Sequence, residues 1–288
     1  MTGVDEVRGR IGRYGVWRRH SAADGALAAH LESLGFGAFW LGGSPPGDLR
    51  VAEELLDATT SLVVATGIVN IWNTDPAEVA DSHRRITAKH PGRFLLGIGA
   101  GHPESAGKAA QKPYGALLSY LDAVEAGGVP REELVLAALG PRVLRLAAQR
   151  TLGAHPYLTT PEHSRRAREL LGAGPLIAPE QRVVLETDPE AARSVARPTI
   201  QTPYLGLVNY RRNLLSLGYA EQDLAGAGSD RLVDGLTAYG TGEQIAARVE
   251  EHLAGGADHV ALQLLVPEGQ DLADAYRRLA GALGLAGA

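Results

Sequence analysis

Apolar residues along the chain follow two alternating periods. Short apolar runs of strand length are each followed by a longer segment whose apolar residues recur every three or four positions, as on a helix. The predicted strands cover residues 12–17, 37–43, 61–69, 92–101, 133–139, 154–160, 181–188 and 258–265. This alternation predicts a parallel sheet covered by helices.

The starts of the predicted helices carry capping residues. Asp75, Pro76 and Glu78 supply an N-cap, a proline at the first helical position and a glutamate at the third. Thr241 and Gln244 form a capping-box pattern. Eight strand–helix units in 288 residues fit an α/β fold of the closed (β/α)8 type, the TIM barrel. An open doubly wound sheet is the competing arrangement.

Residues 199–239 depart from the alternation, since helical pieces follow one another there without a clear strand. No low-complexity linker and no shift in composition marks a second domain. We therefore predict a single barrel domain over residues 1–288. Residues 199–240 are predicted to be an insertion between units seven and eight.

Composition excludes several classes of function. The net charge of −5, without a concentrated basic patch, argues against a nucleic-acid partner. The chain has no cysteine, so disulfides and thiolate chemistry are excluded, which suits a reducing cytoplasm. No apolar stretch long enough for a membrane span or a secretory signal is seen. No His-Glu-x-x-His and no Asp/His cluster with metal-ligand spacing occurs, so no metal site is predicted.

In a TIM barrel the active site lies at the carboxyl ends of the strands. The segments at those ends are residues 42–48, 67–74, 99–105, 138–141, 155–160, 188 and 266–269. Gly140-Pro141 ends the fifth strand and begins a helix, whose free N–H groups suit a phosphate. The same dipeptide can also serve an ordinary strand-to-helix turn.

Other candidate residues have both a structural and a functional interpretation. His102 follows the fourth strand, where a histidine can exchange a proton near neutral pH, although most surface histidines do nothing of the kind. His155 and Tyr157 share one side of the sixth strand and either line a site or pack in the core. Asn70 and Trp72 follow the third strand, and a Trp beside amides suits an aromatic ligand. A Trp covering a helix is the alternative.

The glycines of "GIGAGH" (residues 97–102) do not form a dinucleotide-binding fingerprint. The third glycine would fall at His102, and no helix begins there because Pro103 and a polar stretch follow. The glycines of this segment fit either a ligand lying close to the backbone or tight packing in the barrel.

Several segments together resemble one known family. They are "GFGAFWLGGSP", "ATGIVNIWNTDPAEVADSHRRI", "GRFLLGIGAGH", "LAALGPRVLRLAAQRTLGAHPYLTTPEH" and "GADHVALQLL", which span most of the chain. With them, the chain is similar to the bacterial luciferase-like oxidoreductases. The similarity is to the branch that uses the deazaflavin coenzyme F420, and to an actinobacterial subgroup of it.

This resemblance implies a set of functional residues. It places a non-prolyl cis peptide behind the coenzyme ring at Gly67–Ile68, and Asn70 near the ring. It places the coenzyme phosphate at Ala138, Leu139 and Gly140, which agrees with the helix-start argument. His102 matches the position of a catalytic acid or base in some relatives. We expect Trp72, His155 and Tyr157 to line the substrate pocket.

The resemblance also implies an activity and a partner. The implied reaction is hydride transfer between C5 of F420 and a small organic substrate, in a cytoplasmic homodimer. An FMN-dependent monooxygenase is the alternative enzyme, and a barrel without catalytic activity is the third hypothesis. The third hypothesis rests on Gly42-Gly43-Ser44, where several relatives carry an acidic residue and a histidine but this chain has no ionisable group.

Overall fold

The computed structural model describes residues 3–101, 112–267 and 269–285. Its strands are β1 (Tyr14–Arg19), β2 (Ala38–Gly42), β3 (Val63–Thr66), β4 (Val69–Asn70), β5 (Phe94–Gly99), β6 (Leu134–Leu136), β7 (Gly153–Ala154), β8 (Leu176–Ile177), β9 (Glu180–Val184), β10 (Thr237–Tyr239) and β11 (Val260–Leu264). Its helices are α1 (Gly3–Ile11), α2 (Gly25–Ser33), α3 (Arg50–Asp57), α4 (Pro76–Lys89), α5 (Pro113–Ala126), α6 (Pro141–Arg150), α7 (Pro161–Leu171), α8 (Pro189–Gln201), α9 (Val208–Ser216), α10 (Asp230–Leu236), α11 (Gly242–Ala254) and α12 (Leu272–Ala282).

The strands form one parallel sheet that curls into a barrel. Their order is β10-β9-β11-β1-β2-β3-β5-β6-β7-β8, with β4 beside β5. β8 and β9 are two parts of one extended segment, residues 176–184, and this segment closes the barrel. The amide of Ala178 donates to the Ala154 carbonyl on one side (2.9 Å), and Ala261 donates to the Pro179 carbonyl on the other (2.9 Å). The predicted α/β TIM barrel is therefore confirmed.

The barrel interior is filled at its amino end and left open at the other. Near their starts the strands point apolar side chains inward, among them Ala38, Trp40, Val63 and Leu95. Helix α1 covers this end, and its Ile11 is fully buried in the same cluster. Strands covered on both faces carry the near-continuous apolar runs from which they were predicted.

The main difference from the predicted elements lies near the insertion. β10 pairs in parallel with β9, Thr237 opposite Arg182, in a segment that was predicted to be helical. Residues 176–177 already belong to the seventh strand, which was predicted to begin at 181. α1 was also missed. β10 and residues 176–177 are too short to leave a periodic pattern, whereas Val4, Val7 and Ile11 of α1 have a helical spacing that could have been recognised.

The segment predicted to be an insertion, residues 199–240, supplies most of a second apolar core. It begins inside α8 and contains α9, α10 and β10. Its apolar side chains pack with Leu158 and Val184 into a second cluster, separate from the main core between the sheet and the helices. We refer to this cluster as the insertion core; its members are Leu158, Val184, Ala192, Ala196, Ile200, Leu205, Leu207, Tyr210, Leu214, Leu224, Leu232, Val233 and Leu236.

Candidate active site

A cavity of about 380 Å³ lies at the carboxyl ends of the strands. It is lined by inward residues of β1 and β2, by the connections after β2, β3, β5, β6 and β7, and by residues of the insertion segment. The volume falls within the range of about 300–1,000 Å³ that small-molecule sites occupy. The barrel mouth therefore has room for an organic ligand at the end where TIM barrels bind theirs.

Glycines make room for Trp17, which forms part of the cavity floor. A Cβ on Gly42 would lie 1.9 Å from the Trp17 ring, and a Cβ on Gly67 would lie 3.2 Å from Trp17 Nε1. The indole thus lies across the backbone of β2 and reaches the end of β3. On its other side it contacts the Tyr157 ring, with centroids 4.9 Å apart.

His155 is held in one orientation beneath the cavity. Its Nδ1 lies 2.6 Å from the Ala178 carbonyl, which can only accept, so Nδ1 carries the proton. Its ring stacks on Trp40 at 4.2 Å, and Trp40 Nε1 donates to His259 Nε2 (3.0 Å). Burial lowers the pKa of His155 to about 4, the Ala178 bond opposing that effect. The ring is therefore neutral at pH 7.

Three tyrosines form an aromatic wall of the cavity. Tyr157 comes from the connection after β7, and Tyr204 and Tyr210 come from the insertion segment. The Tyr157 and Tyr204 ring centroids are 5.4 Å apart, and those of Tyr204 and Tyr210 are 4.8 Å apart. Burial raises the pKa of Tyr157 well above its usual value, so its hydroxyl stays protonated.

A buried charged pair supports this wall from inside the barrel. Arg182 donates to Glu180 (3.2 Å), to the Tyr157 hydroxyl (3.1 Å) and to Thr199 of α8 (3.1 Å), while Tyr157 donates to Gln263 (2.9 Å). Arg182 and Glu180 are each 1% exposed. Burial lowers the pKa of Arg182, but the negative charge of Glu180 beside it opposes this, and the guanidinium stays charged. The network joins the barrel to the insertion segment.

The mouth of the cavity is positively charged. Arg19 and Arg142 line it and are exposed, and within the described ranges neither has an acidic partner. The Arg142 guanidinium lies 3.6 Å from the centre of the Tyr114 ring. Gly140 begins α6 here without a side-chain cap, and nothing lies within 4 Å of where its Cβ would be. None of the described lining residues is a carboxylate, so this mouth favours an anion.

The structure brings most of the predicted site residues to the cavity. Its lining includes Gly67, Ile68, Ala138, Leu139, Gly140, His155 and Tyr157. Asn70 and Trp72 lie beside it instead. The Asn70 side chain accepts from the Trp72 amide (3.0 Å), and the Trp72 indole donates to the Ala100 carbonyl (2.8 Å) and packs against the main core. His102 lies outside the described residues, so its role stays a prediction.

The predicted cis peptide at Gly67–Ile68 is wrong. That bond is trans, and the cis bond found among the described residues is Thr202–Pro203. The strand is interrupted at Gly67–Ile68, between β3 and β4. The Gly67 amide still donates to the Leu41 carbonyl (2.8 Å), so the interruption keeps its pairing to β2 with ordinary backbone geometry.

Sequence reasoning missed several lining residues, among them Trp17, Arg19, Arg142, Tyr204 and Tyr210. Trp17 and Arg19 lie on alternate inward positions of β1, and the strand period could have found them. Arg142 follows Gly140-Pro141 directly, which is also readable. Tyr204 and Tyr210 come from the insertion segment, whose path over the barrel mouth no local pattern reveals.

A comparison with models of protein families matches most of the chain. The model of the luciferase-like monooxygenase family, Bac_luciferase, matches residues 21–259. The chain belongs to this family. The luciferase-like family comprises oxidoreductases and monooxygenases, and no curated protein sequence matches the chain.

Solved structures of several enzymes share the fold at low identity. An F420-dependent secondary alcohol dehydrogenase in complex with an F420-acetone adduct is 15% identical, with a TM-score of 0.71 over 94% of this chain and 98% of that one. An F420-dependent tetrahydromethanopterin reductase from Methanopyrus kandleri is 14% identical, with a TM-score of 0.69 over 94% and 98%. The oxygenating constituent of 3,6-diketocamphane monooxygenase from Pseudomonas putida, in complex with FMN, is 16% identical, with a TM-score of 0.66 over 95% and 96%.

The described residues contain neither a metal-binding cluster nor a membrane-spanning helix. No group of three or more histidine, cysteine or acidic side chains in those ranges could hold a metal ion. Across the same part of the chain, no helix is both long and apolar enough to cross a bilayer.

Proposed function

We propose that this luciferase-like protein binds coenzyme F420 in the barrel cavity and transfers a hydride between the coenzyme and a small organic substrate. The observation that carries the proposal is the cationic mouth, since Arg19, Arg142 and the uncapped start of α6 at Gly140 all line this one cavity. F420 joins its ring to a phosphate and a tail of glutamates, so it presents several negative charges. Two arginines beside a helix start can pair with several negative charges, so they match such a tail better than they match a ligand with a single phosphate.

The residues of the cavity would position the reactants. The deazaflavin supplies the hydride chemistry when bound. Trp17, His155 and Tyr157 would hold the ring, and Tyr204 and Tyr210 would exclude water from it. Because the pKa of His155 is about 4, it cannot serve as a general acid at neutral pH. The proposed acid or base is therefore still His102.

An FMN-dependent monooxygenase is the second candidate. The FMN complex of the diketocamphane monooxygenase constituent supports it, since that protein has the same fold. A barrel without activity is the third possibility, and Gly42-Gly43-Ser44, which lines the cavity without an ionisable group, favours it. Arg19 brings a charge to this place, since its Nε lies 3.6 Å from the position of a Cβ on Gly43.

Titration of F420 and of FMN into the protein, followed by fluorescence and calorimetry, tests the proposal. We expect F420 to bind at least tenfold more tightly than FMN, and its affinity to fall with added salt. The variants R19A and R142A should each weaken F420 about tenfold. The control R145A, an exposed arginine of α6 outside the cavity lining, should change it less than twofold.

Each contrary result has a definite meaning. Tighter binding of FMN would replace the proposal with the monooxygenase, and binding of neither would favour the inactive barrel. If F420 binds, its oxidation and reduction can be followed by absorbance against panels of ketones, enones and imines. The homodimer, the cytoplasmic location and the actinobacterial subgroup stay predictions from the resemblance.

A further inference from the structure

His155 has one nitrogen at the cavity whose hydrogen-bonding capacity is unused. The residue is 2% exposed, and its Nε2 has no partner among the described residues. Because Nδ1 carries the proton that bonds Ala178, Nε2 of the neutral ring bears a lone pair and can only accept. A buried polar atom left unpaired is costly, so such an atom beside a cavity points to a ligand that donates to it.

A complementary donor lies close to this acceptor. Trp17 Nε1 has no hydrogen-bond partner within the described ranges, and an indole N–H can only donate. A single point, the position a Cβ would take on Gly67, is 3.2 Å from Trp17 Nε1 and 3.7 Å from His155 Nε2. Trp17, His155 and Gly67 all line the cavity. One donor and one acceptor therefore meet at the same part of its floor.

Neither group is free to reorient. The stack on Trp40 and the bond to Ala178 fix the His155 ring, because a flip would place the carbon Cδ2 instead of Nδ1–H against the carbonyl. Trp17 is confined between the backbone of Gly42 and the ring of Tyr157. The floor is thus a rigid donor–acceptor pair, and a ligand must match it rather than adapt it.

We propose that this pair recognises a cyclic imide edge, in which a ring N–H donates to His155 Nε2 and an adjacent ring carbonyl accepts from Trp17 Nε1. The inference rests on the proposed function, because the pyrimidine ring of flavins and deazaflavins carries such an edge at N3–H. It also specifies the orientation in which the coenzyme binds. The pyrimidine edge lies on the floor, and the tail runs to the cationic mouth.

Methylation of N3 tests this without any change to the protein. Affinities are measured for FMN and N3-methyl-FMN, and for 8-hydroxy-5-deazariboflavin and its N3-methyl derivative. We expect the unmethylated ring to bind at least tenfold more tightly in each pair that binds, because the methyl group removes the donor. Equal affinity of the two members would overturn the inference while leaving the proposed function intact. Failure of all four rings and of F420 to bind would overturn both.

Variants separate recognition from packing. H155L should lower the preference for the unmethylated ring to less than twofold. W17F should weaken both members of a pair several-fold but keep their ratio, because His155 still reads the N–H. W72F is the matched control, since Trp72 uses its N–H on Ala100 outside the cavity, and it should change neither value. A full preference retained in folded H155L would contradict the assignment.

Discussion

Removal of the Arg182 charge should destabilise the protein strongly. The variant R182M keeps most of the side-chain volume but leaves Glu180 without its cationic partner at 1% exposure, and among the described residues the Leu158 amide is then its one remaining donor. Breaking a buried ion pair from one side costs about 3–5 kcal/mol, because an uncompensated charge stays buried. The bonds to Tyr157 and Thr199 are lost as well, so we expect the upper part of this range.

Urea unfolding followed by circular dichroism measures this effect. The double variant E180Q/R182M buries no charge and should recover at least about 1 kcal/mol of the loss. The control R13M removes an arginine from the exposed Arg13–Glu250 pair, 58% and 52% exposed, and should cost less than about 1 kcal/mol.

The pH dependence of the stability of R182M provides a second test. Burial raises the pKa of Glu180, and Arg182 opposes that rise in the wild type. In R182M the folded chain therefore binds a proton at a higher pH than the unfolded chain does, and its stability deficit should shrink as the pH falls from 7.5 towards 5. The reasoning is refuted if R182M lies within about 1 kcal/mol of the wild type, or if the double variant is no more stable than the single one.

Three further predictions follow from the same structure. G67A should change the free energy of unfolding by less than about 1 kcal/mol but bind the coenzyme at least tenfold more weakly, because its Cβ would occupy the cavity floor 3.2 Å from Trp17. The control G281A, on the exposed side of α12, should leave binding unchanged. Equal affinities of G67A and the wild type in calorimetry would contradict this prediction. Burial lowers the pKa of His252 to about 3, so between pH 7.5 and 5 this side chain takes up a proton in the unfolded chain, near the usual histidine pKa of 6.5, but not in the folded chain. The urea midpoint should therefore fall as the pH is lowered over this range. H252Q should make that fall shallower, and an unchanged slope would be the opposing result. D75A removes the N-cap that accepts from the Ala77 amide (2.8 Å) and should cost about 1 kcal/mol in a melting experiment, with an unaltered midpoint as the contrary outcome.

Part of the site could be read from strand ends alone. The carboxyl-end rule leads to Gly67, Leu139, Gly140 and His155, because each follows an apolar run whose direction in a parallel barrel is already known. The same rule does not separate Trp72 from Trp17. Both are tryptophans at strand ends, but Trp72 turns towards the Ala100 carbonyl and the helices, and that turn depends on Asn70 and the local chain path.

The insertion segment marks where local reasoning stops. Its helices could be recognised, yet β10 could not, since three residues acquire strand geometry only by pairing with β9. Arg182 was likewise read as part of an ordinary strand. Its burial beside Glu180 is a property of the assembled barrel, which brings Tyr157 and Thr199 to it from two distant segments.

The sequence by itself determined the eight strand–helix units, their parallel arrangement and the position of the helix start at Gly140. These features depend on the spacing of apolar residues, on helix caps and on turn residues, each of which involves only residues close together in the chain. Only the tertiary structure decided the orientation of His155, the trans bond at Gly67, and the placement of Arg19 and Arg142 on the same cavity. These depend on contacts between residues far apart in the chain, and no local pattern encodes the distance or direction between them.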